Sequence, residues 1–257
     1  MATEVRACRV NDKGCRIVSS PPPASFTRLL RFRTSTMGAA VSDMVIGARR
    51  RWMAQCTALA LTCLSSRVSA QPKSGPLVVI GDSLSAEYGI ARGSGWVALL
   101  EQRLQQNKRR LAVVNASISG DTTAGGRARL PAVLAQHKPS LVLIELGGND
   151  ALRGMPLANT RENLRVMVQA SRKAGARVLL IGMQVPPNYG PAYTRDFAAV
   201  FEEVARSEKV PLVPFLLSGF AGRPDAESWF QSDRIHPLAK AQPLMLDAVW
   251  PALQKLL

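Results

Sequence analysis

Histidine, cysteine and aromatic side chains are all scarce in this chain, and each scarcity narrows what it can do. The 257 residues include two histidines, His137 and His236. A general base that works near neutral pH is most often histidine, so two positions are open to it. All four cysteines, Cys8, Cys15, Cys56 and Cys63, precede residue 64. Nothing beyond Cys63 can form a disulfide or hold a metal through thiolates. Aromatics make up 5%, so Leu, Val, Ala and Ile must fill the core, and a flavin would find little to stack on. Acidic residues are outnumbered, 18 against 33 Lys+Arg, for a net charge of +15. The excess is uneven. Residues 1–70 hold 11 Lys+Arg and 3 Asp+Glu, a net of +8, which leaves +7 for residues 71–257.

The leader explains part of that charge. Arg49, Arg50 and Arg51 form a positive n-region, Met53 to Leu64 a mostly apolar stretch, and Val68-Ser69-Ala70 a small-residue cleavage site. Residues 44–70 therefore read as an export signal, with Gln71 as the new N-terminus and a periplasmic or secreted mature protein. The apolar stretch is too short for a spanning helix, so no stable membrane anchor is expected. The competing reading is a short buried helix that opens the fold. Residues 1–43 contain Pro21-Pro22-Pro23, scattered arginines and no apolar period, a composition that favours disorder. Either translation begins at Met37 or Met44, or the segment is a basic tail that touches nucleic acid or membrane. It lacks the dense Lys/Arg run and interleaved aromatics of a nucleic-acid arm, so no nucleic-acid partner is expected.

From Leu77 onward, short apolar runs alternate with longer amphipathic segments. The runs are Leu77–Gly81, Leu111–Asn115, Leu141–Leu146, Val178–Met183 and Pro211–Phe215. Each is apolar almost throughout, the pattern of strands covered on both faces. Helices are expected over Gly95–Gln106, Thr160–Ala174, Asp196–Glu208 and Leu238–Leu256, with Thr160 as an N-cap and Asn163 completing an imperfect capping box. Pro131, Pro243 and Pro251 are expected to interrupt or kink their helices. Strands alternating with helices imply an α/β fold: a three-layer α/β/α sandwich around a parallel sheet of about five strands.

Ligands of such a sheet bind beyond the carboxyl ends of its strands. Three polar loops fall there: Gly81-Asp82-Ser83-Leu84-Ser85, Ser119-Gly120-Asp121-Thr122 and Gly147-Gly148-Asn149-Asp150. Ser83 is the candidate nucleophile, at a point where the strand turns toward a helix and main-chain N–H groups lie close. Asp82 reads as a structural or capping residue rather than a base. Gly120 offers an uncrowded N–H and Asn149 a side-chain amide to a developing oxyanion. Each residue alone is equally an ordinary turn residue. His236 closes Asp233-Arg234-Ile235-His236. On a helical turn, positions three apart face one side, so Asp233 can hold the Nδ1 proton and leave Nε2 as base. His137, before Lys138-Pro139, reads as a solvated helix terminus. A phosphate- or flavin-gripping module is the competing class, and the carboxylate of Asp82 argues against it.

In their order, these four blocks resemble the SGNH (GDSL) hydrolase superfamily, whose Ser, Gly, Asn and His match Ser83, Gly120, Asn149 and His236, with Asp233 as the acid. Ile80-Gly-Asp-Ser-Leu-Ser-Ala, Val114-Asn-Ala-Ser-Ile-Ser-Gly-Asp-Thr, Glu145-Leu-Gly-Gly-Asn-Asp and Met183-Gln-Val-Pro-Pro-Asn-Tyr-Gly resemble its bacterial thioesterase I, lysophospholipase L1 and arylesterase group. The resemblance runs from about Leu77 to Leu253. It implies a flavodoxin-like SGNH sandwich and hydrolysis of carboxylic esters and thioesters through an acyl-enzyme on Ser83. The oxyanion hole would be Gly120, Asn149 and the Ser83 N–H. No metal or organic cofactor is implied, the partner is a small acyl ester or thioester, and the protein is taken as a monomer. The α/β-hydrolase signature Gly-x-Ser-x-Gly is absent, since Ser85 stands at its second Gly. Tyr189, Pro187 and Asp150 are expected substrate contacts. Glu87 stands where thioesterase I members more often have Gly. It reads either as a carboxylate at the mouth that disfavours acidic substrates or as a solvated surface residue.

Export with cleavage after Ala70 predicts that N-terminal sequencing of secreted protein starts at Gln71. A mature chain that retains Cys56 would contradict the signal-peptide reading.

Overall fold

The computed structural model describes residues 75–257, except the side chain of Pro187; the expectations for 1–43 and for the signal at 44–70 lie outside the described residues. Five strands form one parallel sheet in the order β2-β1-β3-β4-β5: β1 (Leu77–Gly81), β2 (Val113–Asn115), β3 (Leu141–Glu145), β4 (Arg177–Ile181) and β5 (Leu212–Val213). Leu77 pairs with Val113 on one side and Leu141 on the other, and Gly81 pairs with Glu145. Every residue of β1 and β3 is buried, which is why both read as unbroken apolar runs rather than alternating ones. β5 is shorter than its apolar run suggests. Pro211 and Pro214 flank its two paired residues, and proline has no N–H for a ladder, so the sheet ends there.

Six helices connect and cover the strands: α1 (Trp96–Gln106), α2 (Thr123–His137), α3 (Gly148–Leu152), α4 (Leu157–Lys173), α5 (Pro191–Glu208) and α6 (Gln242–Gln254). α1 packs with α6, and α2, α4 and α5 pack in series. The core between them is chiefly aliphatic, with Trp96, Phe197, Phe201 and Phe220 as its buried rings. Each fully buried Leu, Val or Ile contributes about 1.5–3 kcal/mol, so a fold poor in aromatics still has a sufficient core.

Two local expectations are corrected. Thr160 does not cap α4, which starts three residues earlier at Leu157. It faces inward, and so does Asn163, whose amide donates to Thr123 Oγ1 at 3.0 Å while Arg127 donates to its Oδ1. These polar residues join α4 to α2, so their spacing mimics a cap. The prolines also act more gently than expected. Pro243 lies in the first turn of α6, and α2 and α6 run through Pro131 and Pro251 without ending.

Candidate active site

The sheet order places a topological switch between β1 and its two neighbours, and the loops after β1, β2 and β3 leave from the same edge. After β1 the chain makes one helical turn, with Ala86 N–H donating to Asp82 O at 2.9 Å and Tyr88 N–H to Ser83 O at 3.4 Å. No helix follows until α1, so Ser83 stands on a tight turn rather than at a helix start as expected. The loop after β2 is tied back to β1 by Ile118 N–H donating to Gly81 O at 3.0 Å. Gly120 in that loop has φ +77°, a conformation that favours glycine, and its carbonyl accepts from Arg153 at 2.8 Å. A Cβ there would meet only Arg153, 3.8 Å away.

Asn149 sits in α3, which opens directly after β3. The preceding Gly147 has φ +124°, and an added Cβ would come within 3.0 Å of Phe201, so only glycine turns the strand into the helix here. The Asn149 amide donates one N–H to Asp82 Oδ2 at 3.1 Å, while Asp82 Oδ1 accepts from Leu84 N–H at 3.0 Å. Asp82 thereby links the Ser83 turn to α3. Of the two roles expected of it, the structural one is what these bonds describe: it fixes which way the Asn149 amide points.

The His236 end is built differently from the expected helical turn. Arg234 is left-handed, at φ +57°. Asp233 Oδ1 accepts the N–H groups of Ile235 at 2.9 Å and His236 at 3.0 Å, and its Oδ2 lies 2.6 Å from His236 Nδ1. The carboxylate folds its own turn and orients the imidazole in the same act. Burial pushes the Asp233 carboxyl up, but the donors from His236 and Ile235 outweigh it and bring it down to about 2. It is therefore ionised across the neutral range, and Nδ1 carries the proton. The bare Nε2 then faces Ser83 Oγ at 2.8 Å. Ser83, His236 and Asp233 thus form one continuous hydrogen-bonded chain.

Gln231 braces this turn against the nucleophile loop. Its side-chain amide donates to Tyr88 O at 2.9 Å and Pro237 O at 3.3 Å, and its N–H donates to His236 O at 2.7 Å. The Tyr88 ring lies against the imidazole, with centroids 4.3 Å apart. Sequence reasoning does not reach Gln231 or Tyr88, because each acts on a segment some 143 residues away.

The other expected site residues part company. Asp150 is 1% exposed. Its carboxylate accepts from Thr123 N–H at 2.8 Å, from the Thr123 hydroxyl and from Thr160 Oγ1 at 3.3 Å. It holds α2, α3 and α4 together beneath the site instead of meeting substrate. Tyr189 ends the 3₁₀ turn Pro187–Tyr189 and stacks on Tyr193 with centroids 6.0 Å apart; the side chain of Pro187 lies outside the described part. Glu87 is half-buried and closes its own loop. It adopts φ +60°, and its carboxylate accepts from Gly93 N–H and from Gly95 N–H at 2.8 Å. A positive φ is the reason glycine suits this position, and here the closed loop offsets the cost of a side chain. His137 ends α2, as expected.

Beneath the Ser83 turn lies a second acid, Glu145, at the end of β3. It is fully buried. Its Oε2 accepts from Ser85 Oγ at 2.7 Å and from Asp82 N–H at 3.4 Å, and its Oε1 has no partner. Burial, and then the neighbouring Asp82, push its carboxyl well above the usual range. Burial also pushes Asp82 up, to about 6, against the pull of Leu84 N–H, the Asn149 amide and His236. Glu145, the more buried and the poorer in donors, holds the proton of the pair.

A serine, a histidine and a carboxylate joined at the carboxyl edge of a flavodoxin-like parallel sheet define a serine hydrolase of SGNH type. Comparison with known proteins agrees. Residues 79–242 match the GDSL-like Lipase/Acylhydrolase family, and the chain belongs to it. It is 53% identical over 199 residues to Esterase TesA of Pseudomonas aeruginosa, covering 77% of this chain and 96% of that protein. It is 42% identical over 198 residues to Thioesterase 1/protease 1/lysophospholipase L1 of Escherichia coli K12, covering 77% and 91%. A crystal structure of TesA superimposes with a TM-score of 0.68 at 54% identity, over 71% of this chain and 99% of that one. The protein is an enzyme that hydrolyses ester bonds.

The Glu145 environment carries a sign that can be checked. In the unfolded chain a glutamate loses its proton near pH 4.3. The folded chain holds it to much higher pH, so the stability from this group is complete below about pH 4 and is lost as pH rises toward the folded value. Glu145→Gln keeps an acceptor for Ser85 and carries no charge. Thermal melts from pH 5 to 8 should show a native melting temperature that falls with pH. The variant should fall less and melt at least about 2–4 °C higher at pH 8, the shift expected for roughly 1 kcal/mol in a domain of this size. Parallel curves would contradict the assignment of the proton to Glu145.

Proposed function

We propose that this enzyme cleaves carboxylic esters and thioesters through an acyl-enzyme on Ser83, with His236 as base and acid and Asp233 as its orienting carboxylate. The observation that carries the reading is the unbroken chain from Ser83 Oγ through His236 to Asp233, at 2.8 and 2.6 Å. Oγ attacks the acyl carbon as its proton passes to Nε2, and the imidazolium is stabilised by the ionised Asp233. Charge develops on the acyl oxygen. Gly120 N–H, Ser83 N–H and the Asn149 N–H not taken by Asp82 supply donors for it. His236 then protonates the leaving alcohol or thiol, and water repeats the cycle to release the acid. Apart from the substrate and that water, these steps use only the chain's own side chains and main-chain N–H groups. Arylesters, acyl thioesters and lysophospholipids form the substrate range, in keeping with the names of the relatives. Export through residues 44–70 places the mature enzyme, residues 71–257, in the periplasm or outside the cell; among the described residues no helix is long and apolar enough to cross a membrane.

Acyl selectivity is assigned to the loop after β4 and in particular to Tyr189. It is 37% exposed, and it heads a file of rings, Tyr189, Tyr193, Phe197 and Phe201. The last of these touches the Gly147 turn that starts α3.

Purified variants assayed on a short aryl ester test the mechanism. Ser83→Ala and His236→Ala should each lose on the order of 10⁶-fold in turnover, with the double variant scarcely worse, because neither group acts without the other. Asn149→Ala should lose roughly 10²–10³-fold, the cost of one oxyanion donor. A folded Ser83→Ala that keeps more than about a hundredth of native turnover, far above the residue of triad loss, would overturn the mechanism. Tyr189→Ala should alter the chain-length profile more than the short-ester rate, and an unchanged profile would remove Tyr189 from selectivity.

A further inference from the structure

Proton transfer from Ser83 turns His236 into a cation, and the groups that face its ring decide how well that charge is borne. Asp233 faces Nδ1 and Ser83 faces Nε2. Asp82 lies near enough for the two charges to interact. Arg234, within the same turn, points to Glu227 at 3.7 Å. The face of the ring is covered by Tyr88, with centroids 4.3 Å apart and planes inclined by 39°. Tyr88 is 51% exposed, so core packing does not account for its position.

The backbone around Tyr88 is built to hold it there. Both neighbours are left-handed, Glu87 at φ 60° and Gly89 at φ 70°. The Glu87 carboxylate anchors the loop to Gly93 and Gly95. One amide, that of Gln231, binds Tyr88 O and Pro237 O together. Gly89 has a φ that side chains rarely adopt, and a Cβ there would lie 2.1 Å from Gln231 Oε1 and displace the amide that joins the two segments. Left-handed backbone outside glycine is sparsely populated and persists where the surroundings impose it.

We propose that Tyr88 is a positioning residue for His236, whose ring face stabilises the imidazolium formed as Ser83 attacks. The negative face of an aromatic ring attracts a cation placed over it. The inference rests on the reading of His236 as the base. Because Tyr88 is half open to solvent, its effect is modest, about two- to five-fold in rate.

The test compares Tyr88→Phe, which keeps the ring face, with Tyr88→Leu, which keeps an apolar cover and loses the face. Turnover of a short aryl ester is measured against pH. The ring protons of the two histidines are titrated by NMR in parallel, with His236 assigned from the His236→Ala spectrum. Tyr88→Phe should follow the native enzyme. Tyr88→Leu should lower the plateau about two- to five-fold and move both the acid limb and the His236 titration down by roughly half a pH unit. Asp82 and Asp233 are common to all variants, so the difference belongs to the ring. If the leucine variant melts early, Tyr88→Met provides the same comparison. Superimposable Leu and native profiles, or a Phe variant that falls with Leu, would overturn the proposal. If His236→Ala is inactive while Tyr88→Leu is silent, this inference alone fails. If His236→Ala stays active, the assignment of the base fails with it.

Discussion

Parallel pairing of β1 with β2 on one side and β3 on the other governs where Ser83, Gly120 and Asn149 lie. Parallel strands end on the same edge, so the three loops that follow them open side by side although their residues are far apart in sequence. Ser83, Gly120 and Asn149 each stand a few residues beyond a strand end. The hydrogen bonds Ile118 to Gly81 and Asn149 to Asp82 join the outer loops to the central one. The fourth group, His236, arrives from the far end of the chain on a turn that its own partner Asp233 folds. The positions of Ser83, Gly120 and Asn149 thus depend on a register set by buried Leu, Val and Ile.

Three carboxyl groups in this region meet three environments and behave differently. Asp233 has three donors close by and is held down to about 2, so its charge is permanent. Asp82 is buried yet accepts from Leu84 and Asn149, and is pushed up to about 6. Glu145 is buried with one oxygen unpartnered and is pushed higher. The carboxylate beside His236 stays ionised where donors are dense, and the one beneath Ser83 keeps its proton where they are scarce. The buried acids lower stability at neutral pH, a cost tolerated at sites where the surrounding polar network serves function.

The long strands and the site blocks were legible in sequence, because each reports a local demand. β1 and β3 are read from their apolar runs, and Ser83, Gly120, Asn149 and His236 from Gly-rich loops placed after strands and from a histidine three residues beyond an aspartate. What escaped was set by distant contacts. Thr160 and Asn163 look like a cap but face inward to Thr123 and Asp150. Asp150 looks like a member of the oxyanion loop and is a buried tie. Glu87 invites a reading as a surface charge, and only the loop closing on Gly93 and Gly95 reveals its use. Tyr88 and Gln231 carry no local signal, since their partners are on the opposite end of the chain. The two-residue β5 shows how flanking prolines cut short a run that composition alone would extend.

Ser83 Oγ is the atom proposed to take the acyl group. Reaction of the purified enzyme with an alkyl phosphonate bearing a chromogenic leaving group, followed by peptide mass mapping, tests this directly. The predicted result is one leaving group released per active chain, complete loss of ester hydrolysis, and the phosphonyl mass on Ser83. Inactivation with the label on another residue, or full labelling of Ser83 with turnover retained, would contradict it.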